Sequence, residues 1–341
     1  MLTVPPFNSL AILLLAALGD YIIGDPWHLP HPVQVMGWMI EKLSSLFLKS
    51  CQTPLQKKAA GVFLGLFLIL GSGIVGYGLS QLATAIHISF GWGVQAILLA
   101  SCFAGRSLRD AATDVLQPLQ NGNIEIAREK LSLYVGRDTA NLSQEEILRA
   151  VLETIAENTV DGVTAPLLYA ILGALIPGVG PVPLALGYKA ASTLDSMIGY
   201  KREPYLDLGW FSAKFEDILT WWPCRLTVGA IALLSRQPYH VLRLCRRDAP
   251  QDPSPNSGWS ECAYAAALRV QVGGVNTYQG VLKEKPLLGD NQHPITVETI
   301  QQALQLMRGS FLGFVVGYLL LVVGLQWVRT YLDMPWVETQ G

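Results

Sequence analysis

Glu153, Glu157 and Asp161 lie four residues apart in E-T-I-A-E-N-T-V-D-G, so on a helix their carboxylates share one stripe. Like charges at this spacing weaken an isolated helix by about 0.2–0.5 kcal/mol per pair. The stripe therefore calls for a cation, a salt-bridge partner or open water. It runs directly into an apolar stretch broken by Pro166, Pro177, Pro181 and Pro183. Beyond that stretch come Lys189 and Asp195, then Asp207, Lys214, Glu216 and Asp217, then Trp221-Trp222-Pro223-Cys224-Arg225. Ionisable side chains set between hydrophobic segments are costly to place. Each alone is accounted for by a solvated loop at a membrane surface, whereas the set together favours a site.

The elements that must position these groups are apolar. The 341 residues are 51% hydrophobic and only 15% charged, against about 25% charged in soluble domains, and the mean hydropathy is +0.34. The composition predicts an all-α, polytopic membrane protein forming a single membrane-embedded domain, with about four to five membrane segments. Candidate transmembrane helices are 7–23, 60–86, 92–105 and 310–328, and 165–187 reads as a broken or re-entrant element. Gly61, Gly65 and Gly76 would allow close helix packing. Met36 to Leu48 reads as an interfacial amphipathic helix, and Trp327, Tyr331 and Trp336 as an interfacial belt. Lys42, Lys49, Lys57 and Lys58 make the first loop basic, which places it and the segments 106–161 and 188–309 in the cytoplasm. A cell-membrane protein with a cytoplasmic site is expected. Residues 1–6 hold no Lys or Arg, so no cleavable leader is read there. A net charge of −2 argues against nucleic acid. Five scattered cysteines without C-x-x-C give neither a disulfide framework nor a zinc site.

Several segments have two readings. His28 and His31 are spaced as a ligand pair, but lack a third ligand and fit better as an ordered turn. Arg137 and Asp138, in V-G-R-D-T, are either a surface pair or part of the site. Asn141 or Ser143 can cap the helix leading to Asp161, Ser143 with Glu146 having the pattern of a capping box, and the helix is expected to end at Asp161. Residues 235–260 are proline-rich and read as a loop. At their end S-P-N-S-G is either an ordinary helix cap or a turn presenting N–H groups to an anion. Val272 to Gly289 reads as a Gly-rich loop without a P-loop ending, Thr296 to Met307 as a short helix, and Cys224 to Leu234 as an apolar run too short to span.

G-D-P-W-H-L-P-H-P-V, V-G-R-D-T, A-E-N-T-V-D-G-V-T-A-P, Y-K-A-A-S-T-L-D-S-M-I-G-Y and S-P-N-S-G occur in this order, and D-L-G-W-F-S-A-K-F-E-D-I fits with them. From about Gly19 to Gly274 the chain resembles the CobD/CbiB family of cobalamin biosynthesis; residues 275–341 carry no comparable signature. The resemblance implies an adenosylcobinamide-phosphate synthase, an ATP-dependent acid–amine ligase. Such an enzyme joins (R)-1-amino-2-propanol, or its O-phosphate, to the propionate of the corrinoid substrate adenosylcobyric acid. ATP is supplied by the resemblance, since no motif of a known nucleotide fold is present.

For that reaction the carboxylate must be activated, most simply as an acyl phosphate, and phosphoryl transfer needs cations. Glu157, Asn158 and Asp161 are then candidate Mg²⁺ ligands, all oxygen donors. Lys189, Lys214 and Arg225 are candidate phosphate clamps, with Arg137 a further candidate substrate-binding residue. Asp195 or Asp217 would take a proton from the attacking ammonium or hold one of the cations, while contact of His28 or His31 with the corrinoid cobalt stays open. Ser254, Asn256, Ser257 and Gly258 would hold a phosphate. The bilayer and other late-pathway corrinoid enzymes are the expected partners. Two other classes stay open: a transporter or permease, which also uses broken helices, and a non-catalytic sensor or scaffold of the same fold.

Overall fold

The computed structural model describes residues 7–24 and 31–332. Along them run α1 (Phe7–Ile22), α2 (Pro32–Ser50), α3 (Pro54–Ile86), α4 (Ile88–Ala100), α5 (Gly105–Gln120), α6 (Ile124–Ser132), α7 (Gln144–Thr159), α8 (Ala165–Leu175), α9 (Pro181–Ile198), α10 (Trp210–Leu234), α11 (Pro238–Asp248), α12 (Ser257–Leu268), an antiparallel hairpin of β1 (Val272–Tyr278) and β2 (Val281–Leu288), and α13 (Val297–Leu332). The fold is all-α and polytopic, the hairpin being the one sheet among the described residues. Helices α3 and α13 are long and apolar enough to cross a membrane, with mean hydropathy 2.2 over their best windows. Helices α4 and α5 form a pair bent by 41° that passes as a third, broken span, and α1 is a shorter apolar helix.

Local chemistry explains the helix starts. Thr53 with Gln56, and Ser143 with Glu146, make complete capping boxes on α3 and α7. His31 caps α2 by accepting the Val33 N–H on Nδ1 at 3.3 Å, while His28 lies outside the described residues, as do most of G-D-P-W-H-L-P-H-P-V and Trp336. A Cβ on Gly61 would overlap the Leu208 carbonyl, and one on Gly76 would sit 2.5 Å from Leu186 Cδ1. Those glycines let α3 lie close against α9 and the start of α10.

Helix α8 runs for only 11 residues, about 16 Å, or half the hydrocarbon thickness. The chain turns through Ile176–Gly180, with Gly178 and Gly180 at φ +82° and +81°, and returns as α9. A core around α7 and α12 joins the polar half of the molecule. A second core joins α1, α4, α8, α9 and α13.

Four segments differ from the sequence expectation. The loop read at 235–260 holds α11, because Pro238 occupies the first helical turn, where its missing N–H costs nothing, and Val241, Leu244 and Cys245 bury one face. The Gly-rich loop at 272–289 is the β-hairpin, turned at Gln279-Gly280 with φ +53° and +78°. Thr296–Met307 and 310–328 are one helix, since nothing between them breaks the backbone ladder. Cys224–Leu234 is the second half of α10, which carries Pro223 in its interior.

Candidate active site

Asp161 does not end a helix. Helices α7 and α8 are joined through a single π turn, Val160–Thr164, all in helical backbone geometry. The reason lies in Pro166, whose missing N–H leaves the Gly162 carbonyl without its i+4 donor. The amide of Ala104, at the break between α4 and α5, donates to that carbonyl at 2.8 Å. A Cβ at Gly162 would approach Ala104 Cβ at 3.0 Å, so glycine permits the contact. Thr159 and Thr164 tie the turn to Tyr264 and Thr227 through hydroxyl pairs at 2.8 and 2.6 Å. Such π turns recur at functional sites because they re-aim one side chain.

The side chain so aimed is Asp161. It shares a cavity of about 80 Å³ with Glu157, Asp195, Glu216 and Asp217, closed by Thr220, Ser254, Asn256, Ser257 and Ser260. Four elements converge there: the end of α7 with the π turn, the end of α9, the first turns of α10, and the start of α12. The α8–α9 turn-back is what returns Asp195 to the level of Asp161.

Burial together with mutual repulsion loads these acids. Burial, followed by Glu216, Glu157 and Asp195, pushes the Asp161 carboxyl well above the usual range, with Lys189 opposing. Burial, then Asp217 and Glu157, raises Asp195 to about 6. Burial raises Glu216 to about 7 against a hydrogen bond from Thr220, with Asp195 and Asp217 adding to the rise. Asp161 is only half-buried by accessible surface, because its exposed face looks into the cavity. Acids whose folded pKa is raised favour the folded state while protonated and lose that advantage as pH climbs from the unfolded value, about 4, through the folded one. The Mg²⁺-free protein is therefore expected to melt at progressively lower temperature from about pH 4 to about pH 7. Asp195→Asn should flatten that slope; a melting temperature that rises with pH would contradict the crowding.

S-P-N-S-G closes on itself. Ser254 Oγ accepts the Asn256 and Ser257 N–H groups at 3.2 and 3.1 Å, so those amides are taken. Gly258 is a packing requirement: a Cβ there would lie 2.5 Å from Asp252 Cβ and 2.8 Å from the Ala249 carbonyl oxygen. Arg225 donates to Asn256 Oδ1 and the Pro255 carbonyl, both at 2.8 Å, and lies between the Trp221 and Trp259 rings at 4.9 and 4.7 Å. It anchors the loop from outside the cavity lining. Arg225→Lys loses the two-pronged bond and the stacking. It is expected to raise KM for the loop's ligand about tenfold with kcat less affected, measured by steady-state kinetics; an unchanged KM would remove the anchoring role.

The stripe divides at Glu153. That side chain is 2% exposed and faces the hairpin, paired with Arg137 and 3.7 Å from Arg149, and accepting the Gly273 N–H at 2.9 Å. Arg137 also donates to Asn276 Oδ1 at 2.8 Å. Asp138 accepts the Gln279 and Gly280 N–H groups at the hairpin tip. Arg137 and Asp138 thus form no surface pair with each other: both grip the hairpin, and neither lines the cavity.

A family model described as CobD/Cbib protein matches residues 13–307. The chain belongs to the CobD/CbiB family. It is 52% identical over 330 residues to a cobalamin biosynthesis protein CobD of Synechocystis sp., covering 96% of each chain. It is 42% identical to the CobD of Halalkalibacterium halodurans over 91% of this chain and 95% of that one. To the cobalamin biosynthesis protein CbiB of Salmonella typhimurium it is 41% identical, over 84% and 89%. No solved structure matches it. The match reaches past Gly274, so the hairpin and the first part of α13 belong to the family unit.

Within this CobD/CbiB member the cavity gathers Glu157, Asp161, Asp195, Asp217, Ser254, Asn256 and Ser257 from the residues expected in a site. Asn158 turns back to donate to the Thr154 carbonyl at 2.9 Å. Lys189 lies within electrostatic reach of Asp161, and Lys214 of Asp217, without lining the cavity. Glu216, Thr220 and Ser260 do line it, though spacing gave them no role. Glu216 stood next to Asp217 in sequence, and the i,i+4 step to Thr220 was the available signal. Behind Ser260, Glu261 is 1% exposed and accepts from Lys285 Nζ at 3.1 Å. Burial opposes the charge on Lys285, but Glu261, Glu157 and Glu153 together outweigh it and hold the ammonium charged. The hairpin thus supplies a cation behind the stripe.

Proposed function

We propose that this chain is an ATP-dependent acid–amine ligase of cobalamin biosynthesis, facing the cytoplasm. In this reading it joins (R)-1-amino-2-propanol, or its O-phosphate, to the propionate of adenosylcobyric acid. The observation that carries the reading is the convergence of five carboxylates, four hydroxyls and Asn256 on one small cavity. A cavity of about 80 Å³ accepts a carboxylate or a phosphate and excludes a corrin ring, so only the reacting ends meet there.

The donor set is all oxygen, which suits Mg²⁺. Among the described residues no three His, Cys, Asp or Glu side chains form a ready metal group. A nucleotide-borne Mg²⁺ keeps its waters and uses one or two carboxylates plus phosphates. Glu157 and Asp161 would hold it, and when bound it would neutralise phosphate charge. The propionate carboxylate takes the terminal phosphoryl of ATP, giving an acyl phosphate and ADP. The amine nitrogen then bonds to the acyl carbon, the carbon–oxygen bond to phosphate breaks, and phosphate leaves. Asp195, with its pKa near 6, takes the amine proton and Asp217 is its alternate. Lys189 and Lys214 balance the carboxylates beside which they lie, and Arg225 keeps Asn256 and Ser257 against the substrate.

Purified protein supplied with ATP, Mg²⁺, adenosylcobyric acid and either amine should release one ADP and one phosphate for each amide formed. Corrinoid movement across vesicles without amine-dependent ATP consumption would return the transporter reading, and corrinoid binding with no turnover the scaffold reading.

A further inference from the structure

A second cavity of about 550 Å³ lies on the far side of the π turn, with Val163 in its wall. It is a groove between two helix faces. On α1 the lining positions Leu14, Ala17, Leu18 and Tyr21 follow the i, i+3, i+4, i+7 pattern of one face, and on α13 Gln301, Leu304, Gln305, Arg308, Phe311 and Leu312 do the same. Both faces grade from polar to apolar in the same direction. At one end Arg109 and Arg308 each stack on Tyr21, both at 5.0 Å, and Arg308 donates to the Tyr21 hydroxyl at 3.1 Å. At the other end Leu14, Leu18 and Leu312 are exposed.

We infer that this groove binds one anionic phospholipid of the surrounding membrane, its phosphate held by Arg109 and Arg308 and its acyl chains lying along Leu14, Leu18, Phe311 and Leu312. Charge complementarity selects the headgroup. Arg109 approaches Asp110 at 3.7 Å, but that carboxylate is already bonded by Arg106 at 2.6 Å. Asp20 of α1 also lines the groove, but its carboxylate is turned to the start of α5, where it accepts the Arg106 N–H at 3.5 Å. The cationic end lies near the polar start of α13, and the apolar end lies along its membrane-crossing part, which is the order of headgroup and chain in a bilayer. A corrinoid, with its many amide side chains, would find few donors or acceptors along the apolar length.

The probes are phosphatidylglycerol and phosphatidylcholine of identical chains, added to the delipidated full-length protein and read by native mass spectrometry. Phosphatidylglycerol should be retained in preference, at one per chain. The double variant Arg109→Gln, Arg308→Gln should lower its retention roughly thirtyfold, the combined weight of two cations beside an anionic headgroup, and should lower that of phosphatidylcholine, whose phosphate is offset by its own quaternary ammonium, far less. Leu18→Trp, which fills the apolar end without touching charge, should weaken both lipids. Equal retention of the two lipids by the native protein, or displacement of phosphatidylglycerol by adenosylcobyric acid at one to one, would overturn the assignment.

Discussion

Asp161→Asn is expected to slow amide formation by about a hundredfold or more, the scale of one lost electrostatic contact in a transition state, with the protein still folded in the membrane. The substitution keeps size and removes one charge from a cavity holding five carboxylates. Because Asp161 sits in a π turn and not at a helix end, the helix dipole contributes nothing to its state. Its neighbours do, with Glu216 first among them. Removing a repelled charge relieves the fold, so the variant should melt no lower than the native protein above pH 7. Loss of rate with retained stability is the signature of a group kept for chemistry at a cost to the fold. If Asp161 helps hold Mg²⁺, excess Mg²⁺ should restore part of the rate. Activity near the native level would return Glu157 and Asp161 to a solvated face and remove the strongest support for the ligase reading.

The same stripe should give the opposite result one turn back. Glu153→Ala is expected to destabilise the protein by about 3–5 kcal/mol, the usual cost of stranding one partner of a buried ion pair, here Arg137. It also orphans the Gly273 amide, which adds to the loss. Urea unfolding in detergent reads the stability, and limited proteolysis at the Gln279-Gly280 turn reads release of the hairpin. Arg137→Ala should match it, and the apolar pair Glu153→Leu with Arg137→Met should recover much of the stability. A Glu153→Ala protein that melts normally yet is inactive would place Glu153 in the chemistry after all. Since the hairpin carries Lys285, which bonds Glu261 behind the cavity, the folded Glu153→Ala fraction should also lose rate.

The apolar parts of α3 and α13, the capping box at Ser143, and the residue types of the acidic cavity were all legible in the sequence. Each rests on neighbours within a few positions: hydropathy over 18 residues, a box over four, a carboxylate every four. The hairpin and α11 escape the sequence pattern for a related reason. Proline and glycine densities mark breaks in general, yet Pro238 lies where a helix tolerates it. Gly273, at φ +91°, supplies a bulge that presents its amide to Glu153.

What only the tertiary structure decided is which members of the stripe share a fate. Helical spacing places Glu153, Glu157 and Asp161 on one line, but Glu153 is captured by Arg137 and by the Gly273 amide, the latter 120 residues further along the chain. The carbonyl freed by Pro166 is satisfied by Ala104, from a different helix break. Arg225, a cation by type and so a candidate clamp, is held by two indole rings and the 254–258 loop. A charged side chain's role follows from what holds it, and here the groups that hold these charges include ones from elements far apart in sequence, brought together by apolar packing that does not involve the charges at all.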